Sequence, residues 1–163
     1  MKKIEFLSHV PVSIEVVKEH FTEELFKYLL PPILPVKVVR FEGVEKGARY
    51  EFELLPIHLP PPFSTTWSGK IVDSGDVQGG FYFVDEGTNL PFPLKSWRHL
   101  HRILPNPQLG GIDILDLVEY SCHIPLLEYS LYPSFFSLFV FRKQRYAEYF
   151  RRHLQNSAQS ATS

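Results

Sequence analysis

The chain has 163 residues, enough for one domain around one hydrophobic core, and is 44% hydrophobic and 15% aromatic. A formal charge of -1 and a pI near 6.7 supply no global positive field for nucleic acid or an anionic membrane. The single Cys122 excludes an internal disulfide and a cysteine-only zinc site, so a reducing, cytoplasmic location is expected.

In chain order, residues 2–10 alternate Ile4, Phe6, Ser8 and Val10 against Glu5, Leu7 and His9, the pattern of a strand, and Pro11 ends it. The N-terminus reaches Glu5, Ser8 and His9 before any apolar run of signal-peptide length forms, so no export signal is read. Ser13 is placed to cap a helix carrying Val16, Val17, His20 and Phe21, and Thr22 to cap a second through Leu25, Tyr28 and Leu29. Pro31 and Pro32 stop it. Strands are expected over 36–43, 48–55, 65–73, 80–85, 94–104 and 112–122, with turns at Gly47, Gly75, Gly79-Gly80, Asn106-Pro107 and Gly110-Gly111. Leu59-Pro60-Pro61-Pro62 reads as a stiff loop within the domain.

A long helix is expected over 133–154, with Pro133 in its first turn and Arg142, Lys143, Arg145, Arg151 and Arg152 favouring the negative end of its dipole. Its apolar stripe contains Phe136 and Val140, with Phe135, Leu138 and Phe139 on a neighbouring row. The most apolar window, residues 135–141, is too short for a membrane span of about 20 residues. Ser157 to Ser163 are small and polar, a frayed tail. One strand, two short helices, six strands and a long helix describe an α+β fold: a seven-stranded antiparallel curved sheet gripping a C-terminal helix of about 33 Å.

Three segments carry a family resemblance: FVDEGTNLPFPLKSWRHLHRI from Phe83 to Ile103, LDLVEY from Leu115 to Tyr120 followed by Pro125, and FVFRKQRYAEYF from Phe139 to Phe150. The helix pair ending in LLPP and Gly47 of VEKGARYEF add to them. With these residues the chain resembles the START-like, or SRPBCC, superfamily of helix-grip proteins, which includes polyketide cyclase and coenzyme-Q-binding relatives. The resemblance implies a START-like ligand-binding domain over 1–156, a polar tail over 157–163, and a tunnel for an apolar ligand between sheet and helix. Where relatives often have a glycine before the proline of a turn, this chain has Leu90-Pro91 followed by Phe92-Pro93.

Strand alternation sets Trp97, His99, His101 and Ile103 on the inward face of 94–104, and Ile114, Asp116, Val118, Tyr120 and Cys122 on that of 112–122. An inward polar cluster of His99, His101, Asp116 and Tyr120 follows. Two histidines and a carboxylate are a donor set for zinc or iron, but inward histidines in a sheet more often pair with a carboxylate, and no metal and no cofactor are assigned. No G-x-S-x-G nucleophile elbow occurs, and Cys122 reads as a core residue.

The expected function is binding of an apolar small molecule, a lipid, polyketide or other polycyclic compound, by Trp67, Phe83, Trp97, His99, His101, Asp116, Tyr120, Phe136 and Val140. The alternative is a cyclase- or dehydratase-like enzyme using His-Asp acid-base chemistry, with His99, His101 and Asp116 as the catalytic candidates. A third is an interaction domain with a filled pocket. The expected partners are the apolar ligand and a second copy meeting it through the aromatic C-terminal helix, with no nucleic acid and no transmembrane segment.

Overall fold

The structure, a computed structural model, describes residues 1–32, 36–54 and 65–160, with side chains to residue 155. Strand β1 (Lys2–Val10) is followed by helices α1 (Ile14–His20) and α2 (Glu23–Leu29). Strands β2 (Val36–Phe41), β3 (Arg49–Leu54), β4 (Thr66–Val77), β5 (Gly80–Asn89), β6 (Leu94–Pro105) and β7 (Ile112–Cys122) come next, and helix α3 (Leu126–Ser160) ends the described chain. The strands form one antiparallel sheet in the order β1-β7-β6-β5-β4-β3-β2, so the first strand lies beside the last. Among the described residues, no helix is long and apolar enough to cross a membrane.

Local chemistry explains the hairpins. Gln78 and Gly79 both have positive φ, 48° and 77°, in the two-residue loop between β4 and β5, the twist-matched turn that favours glycine. Gly75, expected at a turn, instead pairs with Tyr82 inside β4, because the tight hairpin three residues on lets the ladder continue. Asn106 Oδ1 accepts hydrogen bonds from the backbone of Gln108 and Leu109, and its Nδ2 donates to Asp113 across the β6–β7 turn. Register shifts at Ser68/Gly69 and Ile71/Asp73 bend β4 and help to curl the sheet. The Leu59-Pro60-Pro61-Pro62 run lies outside the described residues.

Helix α3 begins seven residues before the expected start and carries Pro133 in its interior. Proline removes one helical hydrogen bond, but the turn preceding it is anchored from outside. The Glu128 carboxylate accepts a hydrogen bond from the Cys122 backbone at 3.3 Å, and its carbonyl accepts one from the Tyr120 hydroxyl at 2.8 Å. At its far end α3 continues through Ser160, past the start of the expected tail.

The sheet's concave face and α3 enclose two apolar clusters. One joins Val17, Leu25 and Leu29 of the short helices to Ile71, Phe81, Phe83, Ile103, Ile114, Tyr146 and Phe150. The other joins Ile4, Leu94, Trp97, Val118, Tyr120 and Cys122 to Phe139. Along β7 buried and half-buried residues alternate without interruption, as a sheet covered on one face requires.

Candidate functional site

Residues of both clusters line a cavity of about 180 Å³. Its walls are apolar over most of their extent, with Phe21, Leu25, Phe52, Trp67, Phe83, Trp97, Phe135 and Phe139 among them, and Tyr50, Asp85, His99, His101 and Arg142 as the charged or ionisable groups. The two indoles meet edge to face with centroids 4.9 Å apart.

The polar patch is built by strand register. His101 stands opposite Asp116 across β6–β7, and His99 opposite Asp85 across β5–β6, all with side chains inward and buried. His99 Nε2 donates to Asp116 Oδ1 at 3.0 Å. His101 Nδ1 lies 2.9 Å from the same oxygen but off the hydrogen-bonding direction, so this contact is an ion pair without an aligned bond. Asp85 Oδ2 lies 3.5 Å from His99 Nδ1 and 3.6 Å from His101 Nε2, while its Oδ1 accepts a 2.6 Å hydrogen bond from the Tyr50 hydroxyl. The imidazoles sit 3.7 Å apart between centroids, and Phe83 stacks on His101 at 4.2 Å.

Tyr50 reaches Asp85 from two strands away by passing over Gly69 of β4. A Cβ at Gly69 would lie 2.2 Å from the Tyr50 hydroxyl oxygen and 2.6 Å from the Glu86 carbonyl oxygen, so only glycine leaves the path open.

Burial, then the charge of His101, pulls the His99 imidazole down to about 4, so it is neutral near pH 7. Burial also opposes a charge on His101, but Asp116 and Asp85 outweigh it and raise its pKa. For both carboxylates burial favours the neutral form, and the imidazoles overcome it, holding Asp85 and Asp116 below the ordinary range. Burial and then the charge of Asp85 push the Tyr50 phenol far upward, keeping it a donor. From α3, Arg142 enters the lining with its Nε buried and without a hydrogen-bond partner among the described residues. Asp85, His99 and His101 each offer one donor atom, all within 4.8 Å of one another.

No family model and no curated protein sequence matches the chain. Solved structures do. The nucleoside-diphosphate sugar epimerase from Corynebacterium glutamicum matches at a TM-score of 0.66 and 22% identity over 95% of this chain; the chain spans 30% of that protein's length. Norcoclaurine synthase from Thalictrum flavum matches at 0.57 and 13% identity over 88% of this chain and 85% of that one. A major latex-like protein from Panax ginseng matches at 0.55 and 10% identity over 88% and 93%. The chain shares the helix-grip fold of these structures.

The helix-grip arrangement gathers Trp67, Phe83, Trp97, His99 and His101 around one cavity, and sets four other expected lining residues elsewhere. Asp116 is absent from the lining and contacts the two imidazoles instead. Tyr120 leaves the polar cluster because its hydroxyl is taken by the Glu128 carbonyl. Phe136 and Val140 are exposed, Phe136 lying over Phe6 at the edge strand with centroids 5.0 Å apart. The row of α3 that enters the lining is Phe135, Leu138, Phe139 and Arg142. Asp85, Tyr50 and Arg142 are members of the site that the sequence reading missed. Continuing the Phe81, Phe83 alternation by two residues finds Asp85, and counting three and four residues on from Phe139 and Leu138 finds Arg142.

Proposed function

We propose that the domain binds a small molecule with a largely apolar body and one hydrogen-bond-accepting or anionic group. The observation that carries this reading is the composition of the cavity lining: mostly aromatic and aliphatic, with Asp85, His99, His101 and Arg142 as its charged or imidazole groups. The volume favours the small end of the ligands expected for this fold. An apolar cavity of about 150 Å³ accepts benzene, so about 180 Å³ fits a body on the order of one aromatic ring or a short branched chain, smaller than a sterol.

Trp67 and Trp97, the chain's two tryptophans, both border this cavity, so their emission reports its occupancy. Titration with a substituted benzoate and with the matched alkylbenzene is expected to quench both indoles with one-to-one stoichiometry, the benzoate binding more tightly. Native mass spectrometry of the protein as purified checks for a retained compound of that size. Absence of quenching by every small apolar probe would remove the reading.

The enzyme reading is favoured by a different observation: each imidazole on the cavity wall is backed by a carboxylate, the arrangement of a positioned acid-base pair. Its test is turnover. Loss of a β-hydroxyketone substrate by dehydration, abolished in His101→Gln while benzoate still quenches the tryptophans, distinguishes an enzyme from a binder.

A further inference from the structure

The polar wall of the cavity contains a convergence that hydrogen bonding among its members does not explain. His99 Nε2 donates to Asp116 Oδ1 at 3.0 Å, and His101 Nδ1 lies 2.9 Å from the same oxygen. A carboxylate oxygen only accepts, so when both rings are neutral, as metal ligation requires, their hydrogens belong on these nitrogens. Each ring then turns its remaining lone pair the other way, from His99 Nδ1 and from His101 Nε2. Both meet Asp85 Oδ2, at 3.5 and 3.6 Å, lengths beyond a good hydrogen bond. Three potential ligand atoms thus lie within 4.8 Å of one another.

The separations of 3.5 and 3.6 Å are compatible with a cation bound between these atoms. Nitrogen and oxygen ligands about 2.0–2.2 Å from a metal, at angles between octahedral and tetrahedral, stand roughly 3.0–3.6 Å apart. We propose that Asp85 Oδ2, His99 Nδ1 and His101 Nε2 form a mononuclear site for a divalent transition-metal ion, of the zinc or iron(II) class, with its remaining coordination positions open to the cavity.

The surroundings are those of a metal centre. Asp116 lies against the far nitrogens of both imidazoles, hydrogen-bonded to His99 and 2.9 Å from His101, where a partner that orients a metal-binding histidine belongs, and is a positioning residue. Tyr50 fixes the other oxygen of Asp85 at 2.6 Å, leaving Oδ2 for the ion. Phe83 at 4.2 Å from His101 and Phe139 at 5.3 Å from His99, between centroids, pack against the rings. Two imidazoles and one carboxylate with vacant positions beside an apolar cavity is a ligand set used by zinc and iron(II) sites that coordinate an incoming oxygen atom. The inference goes beyond ligand binding, because the ion is held by the protein with or without an organic molecule in the cavity.

The test uses metal alone. Chelator-stripped full-length protein, its fold checked by circular dichroism, is titrated with cobalt(II) under anaerobic conditions while visible d–d absorption is followed. One equivalent is expected to develop the bands, zinc(II) to displace them, and iron(II) to compete. Asp85→Asn and His99→Gln are expected to abolish them. Asp116→Asn is expected to retain one equivalent with affinity lowered about 10–100-fold. His20→Ala, which alters the His20–His153 ring pair 4.3 Å apart at the far end of α3, is expected to change nothing. Absence of bands in the wild type, bands that survive in both Asp85→Asn and His99→Gln, or bands lost in His20→Ala overturn the proposal. If either ligand variant fails to fold, the wild-type titration and the Asp116→Asn affinity still decide it.

Discussion

Gly69 shows how one missing side chain builds the site. The Tyr50 ring crosses β4 at this position to reach Asp85, and the Cβ of an alanine would sit 2.2 Å from its hydroxyl oxygen. Gly69→Ala is expected to destabilise the protein by about 1–3 kcal/mol, the usual cost of overpacking, and to free the Asp85 oxygen now held by Tyr50. Tyr50→Leu in that background should recover part of the loss, which a urea double-mutant cycle measures; additive effects would show that the ring does not take this path. Asp116→Asn tests another single group: it keeps the volume but removes the charge orienting both imidazoles. Discrimination between the benzoate and the matched alkylbenzene should fall about tenfold while alkylbenzene affinity stays within about twofold, on the scale of one hydrogen bond to a charged group. Equal weakening of both ligands would mean that Asp116 only supports the fold. At this scale the histidines and Asp116 were legible, because period-two alternation fixes a strand's inward face. Asp85 was not, since the expected strand stopped at it, and a charged residue before Glu86-Gly87 resembles the start of a turn.

At the level of elements, the decisive one is α3, whose rotation about its axis chooses the row that meets the sheet. Phe135 and Phe136 are neighbours in sequence, yet one lines the cavity while the other lies exposed over Phe6. Sequence alone could not choose between rows because both are aromatic; the choice is made by Tyr146, Tyr149 and Phe150, which lock the helix's second half into the first cluster. The start of α3 was also hidden, because Pro133 signals a first turn unless the preceding turn is held by partners distant in sequence. Phe139→Ala is expected to cost about 3–5 kcal/mol in chemical denaturation and to enlarge the cavity so that naphthalene-sized probes quench the tryptophans. Phe136→Ala, at a position 42% exposed, should cost less than about 1 kcal/mol and leave ligand size unchanged. A reversed ranking would put the wrong row of α3 against the sheet.

For the whole molecule, the order of elements was readable because each strand is bounded by turn-forming residues and the sheet is a meander from β2 to β7. The pairing of β1 with β7 comes from tertiary structure: it joins strands from opposite ends of the chain, so the core, the cavity and α3 are expected to unfold as one cooperative unit. A ligand that occupies the cavity must therefore stabilise the entire domain against unfolding. At a free concentration one hundred times its Kd, a ligand confined to the native state adds about 2.7 kcal/mol, and a chain of this size shifts by about 2–4 °C per kcal/mol. The benzoate probe is expected to raise the Tm by roughly 5–11 °C at that concentration, with near-ultraviolet and far-ultraviolet circular dichroism moving together. Trp97→Ala removes a wall of the cavity and about 3 kcal/mol or more of buried contact, so it should lower the starting Tm and shrink the ligand-induced rise. Quenching of the tryptophans without any rise in Tm would show that the probe has no preference for the native state, against the occupancy of a cavity that exists only in the folded domain.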